Sequence, residues 1–349
     1  MNFRECRLRA IHDIFKILDE SISIEKTFLL LGGMKNAVYY FNGRGIKILG
    51  LSGCGEINSP GVFDLFEISY DKIISSCFLE EYYTSNNRFE NIYVIPALRE
   101  MLNTESIDLK NLVLVGHSFF IVDSIKENKI FFKTIGDNTD YYMHLEVFGQ
   151  ITNTKEWIME ADFEVYKINI NKLKDNEFLR LQMRESEEKL LQNNIKTYLV
   201  NTQMVGDEGT IRFEGEQSYT YVINHLNAMK KKLLAIKGTS EYDKFIKYVY
   251  IQMANFRKYI ASGSDGYYRT EFCDILSKIL PSTLHREYWE NVVGAWRNLG
   301  RTLVQVTSMK YLENNAVQGL EELVRQWDKI KQLEIEGIKK LETDLSALV

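Results

Sequence analysis

The chain has 349 residues, of which 45% are hydrophobic and 12% aromatic, so it can form two domains with a substantial core. Its net charge of −5, without a basic stripe, argues against nucleic acid as a partner, and its N-terminus lacks the apolar segment of a secretory signal. No apolar run approaches the roughly 20 residues that cross a bilayer, so we expect a cytoplasmic protein that does not bind membranes.

The first fifty residues predict two helices and a hairpin. Apolar residues recur at three- and four-residue spacing after Cys6, as on one face of a helix. These residues are Leu8, Ile11, Phe15 and Leu18. A second helix is predicted after Ser23, and Gly32-Gly33 suits its end, where a left-handed residue is needed. Two strands, 37–41 and 46–49, are predicted around a turn at Asn42-Gly43.

The middle of the chain predicts a loop, a helix and three strands. The loop covers 51–61, which is rich in Gly, Ser and Asn, and the helix covers 63–83. Residues 112–122 are β-branched and aromatic and predict a strand, with 128–133 as its antiparallel return. A further strand is predicted over 164–168.

After about residue 171 the chain changes character. Leucine-rich segments with helical spacing of apolar residues predict long helices over 221–234, 242–260, 283–299 and 320–345. We therefore predict an α+β domain over residues 1–170, followed by an all-helical domain over residues 171–349.

Cys6 is the candidate nucleophile among the four cysteines. It alone combines the start of a predicted helix, which lowers the pKa of a thiol, with a histidine far downstream. Cys54 lies in a glycine-flanked loop, whereas Cys77 and Cys273 are predicted to be buried small hydrophobes. Their spacing fits neither a disulfide framework nor a zinc site, so we expect no metal.

The hairpin predicted from 112–122 and 128–133 places an acidic residue opposite His117. If its turn is centred near Glu127, partners have numbers that sum to about 254, which pairs His117 with Asp137. A carboxylate there would accept the imidazole N–H and fix the tautomer that faces a thiol. A one-residue shift would bring Asn138 opposite instead, and asparagine can serve the same role. The alternative is a histidine with a purely structural role near a strand end.

Ser118 is a rival nucleophile. The sequence 113–118 is like the strand that precedes a hydrolase nucleophile elbow, Gly-x-Ser-x-Gly. Phe120 stands where that motif has its last glycine, and the chain continues as a strand where the elbow would begin a helix. We therefore favour Cys6 over Ser118.

Several segments resemble the butirosin biosynthesis protein H family. Residues 6–23 and 28–33 resemble the opening of its N-terminal domain, and 117–123 with the following charged turn resembles its histidine hairpin. Residues 267–272 and 289–299 are similar to the helical companion region of such proteins. The resemblance implies a papain-like (C39-peptidase-like) N-terminal fold, related to the bacteriocin-processing peptidases, and acyl transfer from a carrier-protein thioester to an amine.

Carried over by position, the resemblance implies that Cys6 is the nucleophile, His117 the base and Asp137 the orienting acid. It implies no cofactor, because the acyl chain arrives on the phosphopantetheine of an acyl or peptidyl carrier protein. The acceptor would be a small amine, such as a diamine, in antibiotic biosynthesis. None of the residues before Cys6 is the glutamine that often contacts the oxyanion, and Asn2 is the candidate substitute.

Two other function classes fit the same sequence. A cysteine peptidase or thioesterase would use the same three residues, with water in place of the amine. A non-catalytic helical binding protein would carry an unreactive Cys6.

Overall fold

The computed structural model describes thirteen stretches of the chain. They are residues 6–34, 37–43, 46–52, 61–85, 88–97, 101–105, 118–133, 141–153, 164–201, 203–205, 211–262, 267–280 and 283–346. They form a mixed α+β structure with a six-stranded sheet, a four-stranded sheet and a helical C-terminal region. No helix in these stretches is long and apolar enough to cross a bilayer.

The elements alternate between helix and strand in the first half and are mainly helical in the second. The helices are α1 (Cys6–Phe15), α2 (Ile24–Leu30), α3 (Gly61–Leu65), α4 (Ser75–Thr84), α5 (Leu145–Asn153), α6 (Ile170–Lys174), α7 (Glu177–Arg184), α8 (Glu187–Leu199), α9 (Glu216–Ala235), α10 (Tyr242–Ser262), α11 (Arg269–Ile279), α12 (Thr283–Val306) and α13 (Met309–Ser346). The strands are β1 (Ala37–Gly43), β2 (Ile46–Ser52), β3 (Tyr70–Ile74), β4 (Asn91–Ala97), β5 (Ser118–Lys126), β6 (Lys129–Phe132), β7 (Tyr142–His144), β8 (Glu164–Asn169), β9 (Gln203–Val205) and β10 (Ile211–Glu214).

The six-stranded sheet separates two hydrophobic cores. Its order is β3-β8-β4-β5-β6-β7, and every neighbouring pair is antiparallel. Alternate residues of a strand point to opposite faces. Phe119 and Ile121 of β5 belong to the larger core, which also contains the apolar residues of α1 and of the C-terminal helices. Phe120 and Val122 belong to a smaller core with α4 and α5.

The two helices predicted at the start of the chain are confirmed. Ser23 caps α2, because its side-chain oxygen accepts a hydrogen bond from the Lys26 N–H at 3.0 Å. Gly32 ends the helix with a φ of 64°, the left-handed conformation that was predicted there.

The predicted hairpin of β1 and β2 is confirmed, but its turn lies two residues later than expected. Gly43 pairs with Ile46, so Asn42-Gly43 belong to the strand, and the connecting residues 44–45 lie outside the described part. The four-stranded sheet has the order β2-β1-β10-β9.

Two predictions of secondary structure are wrong. The helix expected over 63–83 is interrupted by β3, because Tyr70–Ile74 pairs with β8 and supplies the edge of the six-stranded sheet. The region after residue 171 is not all-helical, since β10 pairs with β1 and β9 with β10. Strands β3 and β10 are short and pair with β8 and β1, which are distant in sequence.

The long helices predicted in the second half are confirmed as α9, α10, α12 and α13. The predicted strand over 164–168 is confirmed as β8. The larger core contains residues from Leu8 to Leu345 and so extends across the boundary that we predict at residue 170. That boundary stays a prediction.

Candidate functional site

Cys6 is the first residue of α1, as predicted. The helix is surrounded by the larger core, and five of its ten residues are apolar and at most 6% exposed. These are Leu8, Ala10, Ile11, Ile14 and Phe15. The amino end of a helix carries a partial positive charge, which favours an anionic group placed there.

One face of α1 lies against the β5–β6 hairpin. Helix α1 contacts β5 directly. Asp13 is seven residues after Cys6 and therefore shares a face of the helix with position 6. Burial raises the pKa of Asp13, and the nearby positive charge of Lys133, just after β6, opposes that rise. Asp13 therefore lies on a partly buried face of α1, within reach of the charge of Lys133.

The last residue of α1 packs against the segment that follows α3. The Phe15 ring contacts the Phe66 ring edge-on, with centroids 5.3 Å apart. The Phe66 carbonyl accepts a hydrogen bond from Asn176 Nδ2 at 2.9 Å, and Asn176 directly precedes α7.

Lys133 is held against β5. Ser118 of β5 pairs with Ala97 of β4. The Lys133 N–H donates to the Ile121 carbonyl at 2.9 Å. Helix α1 contacts β5, and the described part of β5 begins at Ser118, the residue after His117.

The register of the β5–β6 hairpin agrees with the pairing that the sequence predicts. Lys126 pairs with Lys129 across the two-residue turn Glu127-Asn128, both in the left-handed region with φ of 51° and 58°. A bulge at Asp123 then shifts the register by one residue, so that Val122 pairs with Phe132. Beyond the bulge, partner numbers sum to 254, the value predicted from a turn centred at Glu127.

His117, Asp137 and Asn138 lie outside the described residues, so the catalytic triad stays a prediction.

The remaining predicted cysteines differ in their surroundings. Cys273 is buried as predicted, and burial raises the pKa of its thiol to about 12. The prediction for Cys77 is wrong, because this residue is exposed on α4. Cys54 and its loop lie outside the described residues.

Residues 118–126 form a strand, so the strand-to-helix turn that a Ser118 nucleophile needs is absent from this stretch.

A buried polar network in the helical region was not anticipated from the sequence. Glu334 of α13 is fully buried and accepts hydrogen bonds from Arg269 Nε at 2.6 Å and Arg269 Nη2 at 2.9 Å. The Tyr198 and Tyr219 hydroxyls donate to the same carboxylate at 2.5 and 2.6 Å, and Trp296 Nε1 donates at 2.5 Å. We call these five residues the Glu334 network.

The electrostatics of the Glu334 network favour an ion pair. Burial alone would raise the pKa of Glu334, but the charge of Arg269 and the hydrogen bonds from the arginine and both tyrosines hold it below its ordinary value. Burial and the neighbouring carboxylate raise the pKa of both tyrosines. The sequence carries a signal for the buried glutamate alone, since Glu334 interrupts an apolar stripe at helical spacing. That stripe contains Leu320, Leu323, Trp327, Ile330, Ile338, Leu341 and Leu345.

The two residues before α11 adopt an unusual backbone conformation. Tyr267 and Tyr268 are consecutive left-handed residues, with φ of 55° and 66°. A bulky residue in this region costs on the order of 1–3 kcal/mol and persists only where its surroundings hold it. The Tyr267 ring packs against Trp296 with centroids 4.5 Å apart, and Arg269 follows directly in the chain. The Glu334 network thus fixes this turn.

Comparison with known proteins assigns no family. No protein-family model matches the chain, and no curated protein matches it. Among the described residues, no group of three or more His, Cys, Asp or Glu side chains could hold a metal ion.

Proposed function

We propose that the protein is a cysteine-dependent acyltransferase that moves an acyl chain from a carrier-protein thioester to an amine. The observation that supports this proposal is the position of α1. The helix begins at Cys6 and packs against β5, whose described part begins at Ser118, the residue after His117. A papain-like arrangement of the N-terminal part and a cytoplasmic location belong to the same proposal.

In the first half-reaction the Cys6 thiolate attacks the thioester carbonyl. A new carbon–sulfur bond forms, the bond to the phosphopantetheine sulfur breaks, and the departing thiolate takes the proton that His117 holds. Backbone N–H groups at the start of α1 would stabilise the oxyanion, an effect worth about 3–4 kcal/mol per donor.

In the second half-reaction the amine attacks the acyl-enzyme. His117 takes a proton from the amine, the amide bond forms, and the Cys6 thiolate leaves. Asp137, or Asn138 in the alternative register, would orient the imidazole. Converting a thioester to an amide is downhill, so the reaction needs no ATP.

The resemblance suggests a diamine as the acceptor. It extends to the amide-forming enzyme of closthioamide biosynthesis, which joins a carrier-bound chain to a diamine. Water has to be kept from the acyl-enzyme, or the same residues would perform hydrolysis as a thioesterase or peptidase does.

The test is intact-mass spectrometry with an acylated carrier protein. We expect the wild type to gain the mass of the acyl group, and Cys6→Ala to gain none. The matched control is Cys77→Ser, which removes an exposed cysteine on α4 and should acylate as the wild type does. Addition of a diamine should then release an amide. An active Cys6→Ala enzyme would overturn the proposal, and release of the free acid despite added amine would indicate a hydrolase.

A further inference from the structure

Helix α7 carries apolar side chains on the side that faces solvent. Its Leu179 and Met183 are buried and belong to the larger core. Its Phe178 and Leu181 are exposed instead, Leu181 to 57%. The exposed side lines a surface groove of about 1000 Å³ that extends from the end of α6 to the end of α7. An exposed apolar surface that is rimmed by charged residues is typical of a contact with another macromolecule.

The end of α3 extends this apolar surface. Asn176, the residue before α7, donates from Nδ2 to the carbonyls of Phe66 at 2.9 Å and Glu67 at 3.1 Å. These bonds place the end of α3 beside the start of α7. Leu65, the last residue of α3, is exposed there and adds a third apolar side chain to the surface.

Opposite charges lie at the two ends of α7, on its exposed side. Glu177, Leu181 and Arg184 follow one another at four- and three-residue spacing, so they form one stripe along the helix. All three are exposed, and neither charged group forms an ion pair with another described residue. The helix dipole favours an acid at the start and a base at the end of a helix, but it does not account for the exposed leucine between them.

A second copy of this chain matches the stripe at both ends. If two α7 helices pack antiparallel about a two-fold axis, Glu177 of each copy lies opposite Arg184 of the other. The centre of this pairing falls between positions 180 and 181, so both copies of Leu181 lie near it. Arg180 Nε donates to the Lys174 carbonyl at 2.8 Å, which holds its guanidinium towards α6. A partner of uniform charge, such as nucleic acid or an anionic bilayer, would match only one end of the stripe.

We infer that the exposed side of α7, together with Leu65, is the contact surface of a homodimer in which the two α7 helices pack antiparallel. Phe178 and Leu181 form its apolar centre, and the two Glu177–Arg184 pairs form its rim. Because the surface is built mainly on one helix of 8 residues, the dimer belongs to the class of small, weak interfaces. The contact uses none of the residues that we propose for acyl transfer, so the two proposals are tested separately.

The test is sedimentation equilibrium of the full chain over a range of concentrations. We expect the wild type to change from monomer to dimer as its concentration rises. Leu181→Asp places a charge at the apolar centre in both copies, so we expect the dissociation constant to rise by more than about 10-fold. The matched control is Leu234→Asp on α9, because this leucine is 56% exposed and lies outside the groove. The control should dimerise as the wild type does, and circular dichroism confirms that both variants are folded.

Exchanging the charges tests the antiparallel packing. Glu177→Arg alone brings two arginines together at each end of the contact, and Arg184→Glu alone brings two glutamates together. We therefore expect each single variant to sediment as a monomer. Mixed in equal amounts, the two variants restore an opposite pair at both ends, so we expect the mixture to form a heterodimer. The mixture also controls for folding, because a variant that had lost its fold could not form this contact.

Every result supports or overturns the inference. A wild type that stays monomeric at all concentrations would overturn it, and so would a Leu181→Asp variant that dimerises as tightly as the wild type. A mixture of the two charge variants that stays monomeric would show that the helices do not pack antiparallel. Flotation with vesicles of phosphatidylcholine and phosphatidylserine tests the other occupant. Binding by a monomeric wild type, but not by Leu181→Asp, would assign the surface to a membrane instead of a second copy.

Discussion

His12 is a histidine that the fold keeps neutral. It lies on the buried side of α1 and contacts Thr27. Burial, reinforced by the charges of Lys16 and Arg9, lowers its pKa from 6.5 to about 4, against the opposing effect of Glu25. The imidazole therefore acts as a neutral link between α1 and α2, and protonation opposes folding.

Acid should accordingly weaken the fold. The unfolded state binds a proton at His12 below about pH 6.5 and the folded state only near pH 4, so the stability from His12 is present above pH 6.5 and is lost as pH falls towards 4. We expect the wild type to lose about 2 kcal/mol of unfolding free energy between pH 7 and pH 5 from this residue. Urea denaturation at both pH values measures the loss.

The His12→Gln variant is the control for that pH dependence. Its amide can still bond with Thr27 but does not titrate, so its loss between pH 7 and pH 5 should be smaller by the same amount. The pKa of His225 is also lowered to about 4, mainly by burial, and its contribution remains in both proteins. An equal loss in variant and wild type would show that His12 is not the titrating group.

Cys77 and Cys273 should differ in their rate of alkylation, because Cys77 is exposed and Cys273 is buried. The pKa of Cys273 is about 12, so about one thiol in 10,000 is ionised at pH 8. We expect iodoacetamide to modify the exposed Cys77 in the native protein but to modify Cys273 only in urea. Peptide mapping at timed intervals measures both, and modification of native Cys273 at the rate of Cys77 would contradict its burial.

At the scale of elements, the β5–β6 hairpin has the predicted sum of partner numbers at Val122 and Phe132 for two compensating reasons. The sequence places the turn centre at Glu127. In the structure the turn has two residues, which shifts the partners by one, and the bulge at Asp123 shifts them back. A bulge leaves no clear mark in the composition of a strand, so its position could not be predicted.

The hairpin turn itself is open to a direct test. Asn128 has a φ of 58°, and a residue with a Cβ and no local hydrogen-bonding group costs about 1–2 kcal/mol there. We expect Asn128→Ala to lower the free energy of unfolding by about 1 kcal/mol, and Asn128→Gly to leave it unchanged or raise it. Urea denaturation compares the two. Equal stability of the alanine and glycine variants would argue against a left-handed residue at this position.

Local patterns best predict the elements in which regularly spaced apolar residues continue over many residues. Helices α9, α10, α12 and α13 were all predicted, and α1 and α2 were found from spacing, a cap and a glycine. Strands β3 and β10 were missed because five or four residues carry little periodicity, and their partners β8 and β1 are far away in the chain. The helix that carries Cys6 could thus be predicted, whereas the Glu334 network required the packing of five separate helices.

At the scale of the whole molecule, the larger core contains residues on both sides of the predicted boundary at residue 170. Strand β1 pairs with β10, and Asn194 of α8 donates to the Leu29 carbonyl of α2 at 2.7 Å. A fragment ending at residue 170 would lose both contacts and expose the apolar side of α1 and α2. The covering helices therefore belong to the environment of the Cys6 helix as well as to their own core.

We therefore expect the two halves to unfold in one transition. In a Trp157→Phe variant, tryptophan fluorescence reports only on α12 and α13, through Trp289, Trp296 and Trp327. A dye attached to the exposed Cys77 reports on α4, in a background where Cys6 and Cys54 are serine. Because one core joins the halves, both probes should give the same urea midpoint and the same slope. Separate midpoints, with the dye unfolding while the tryptophans stay buried, would instead support two domains divided near residue 170.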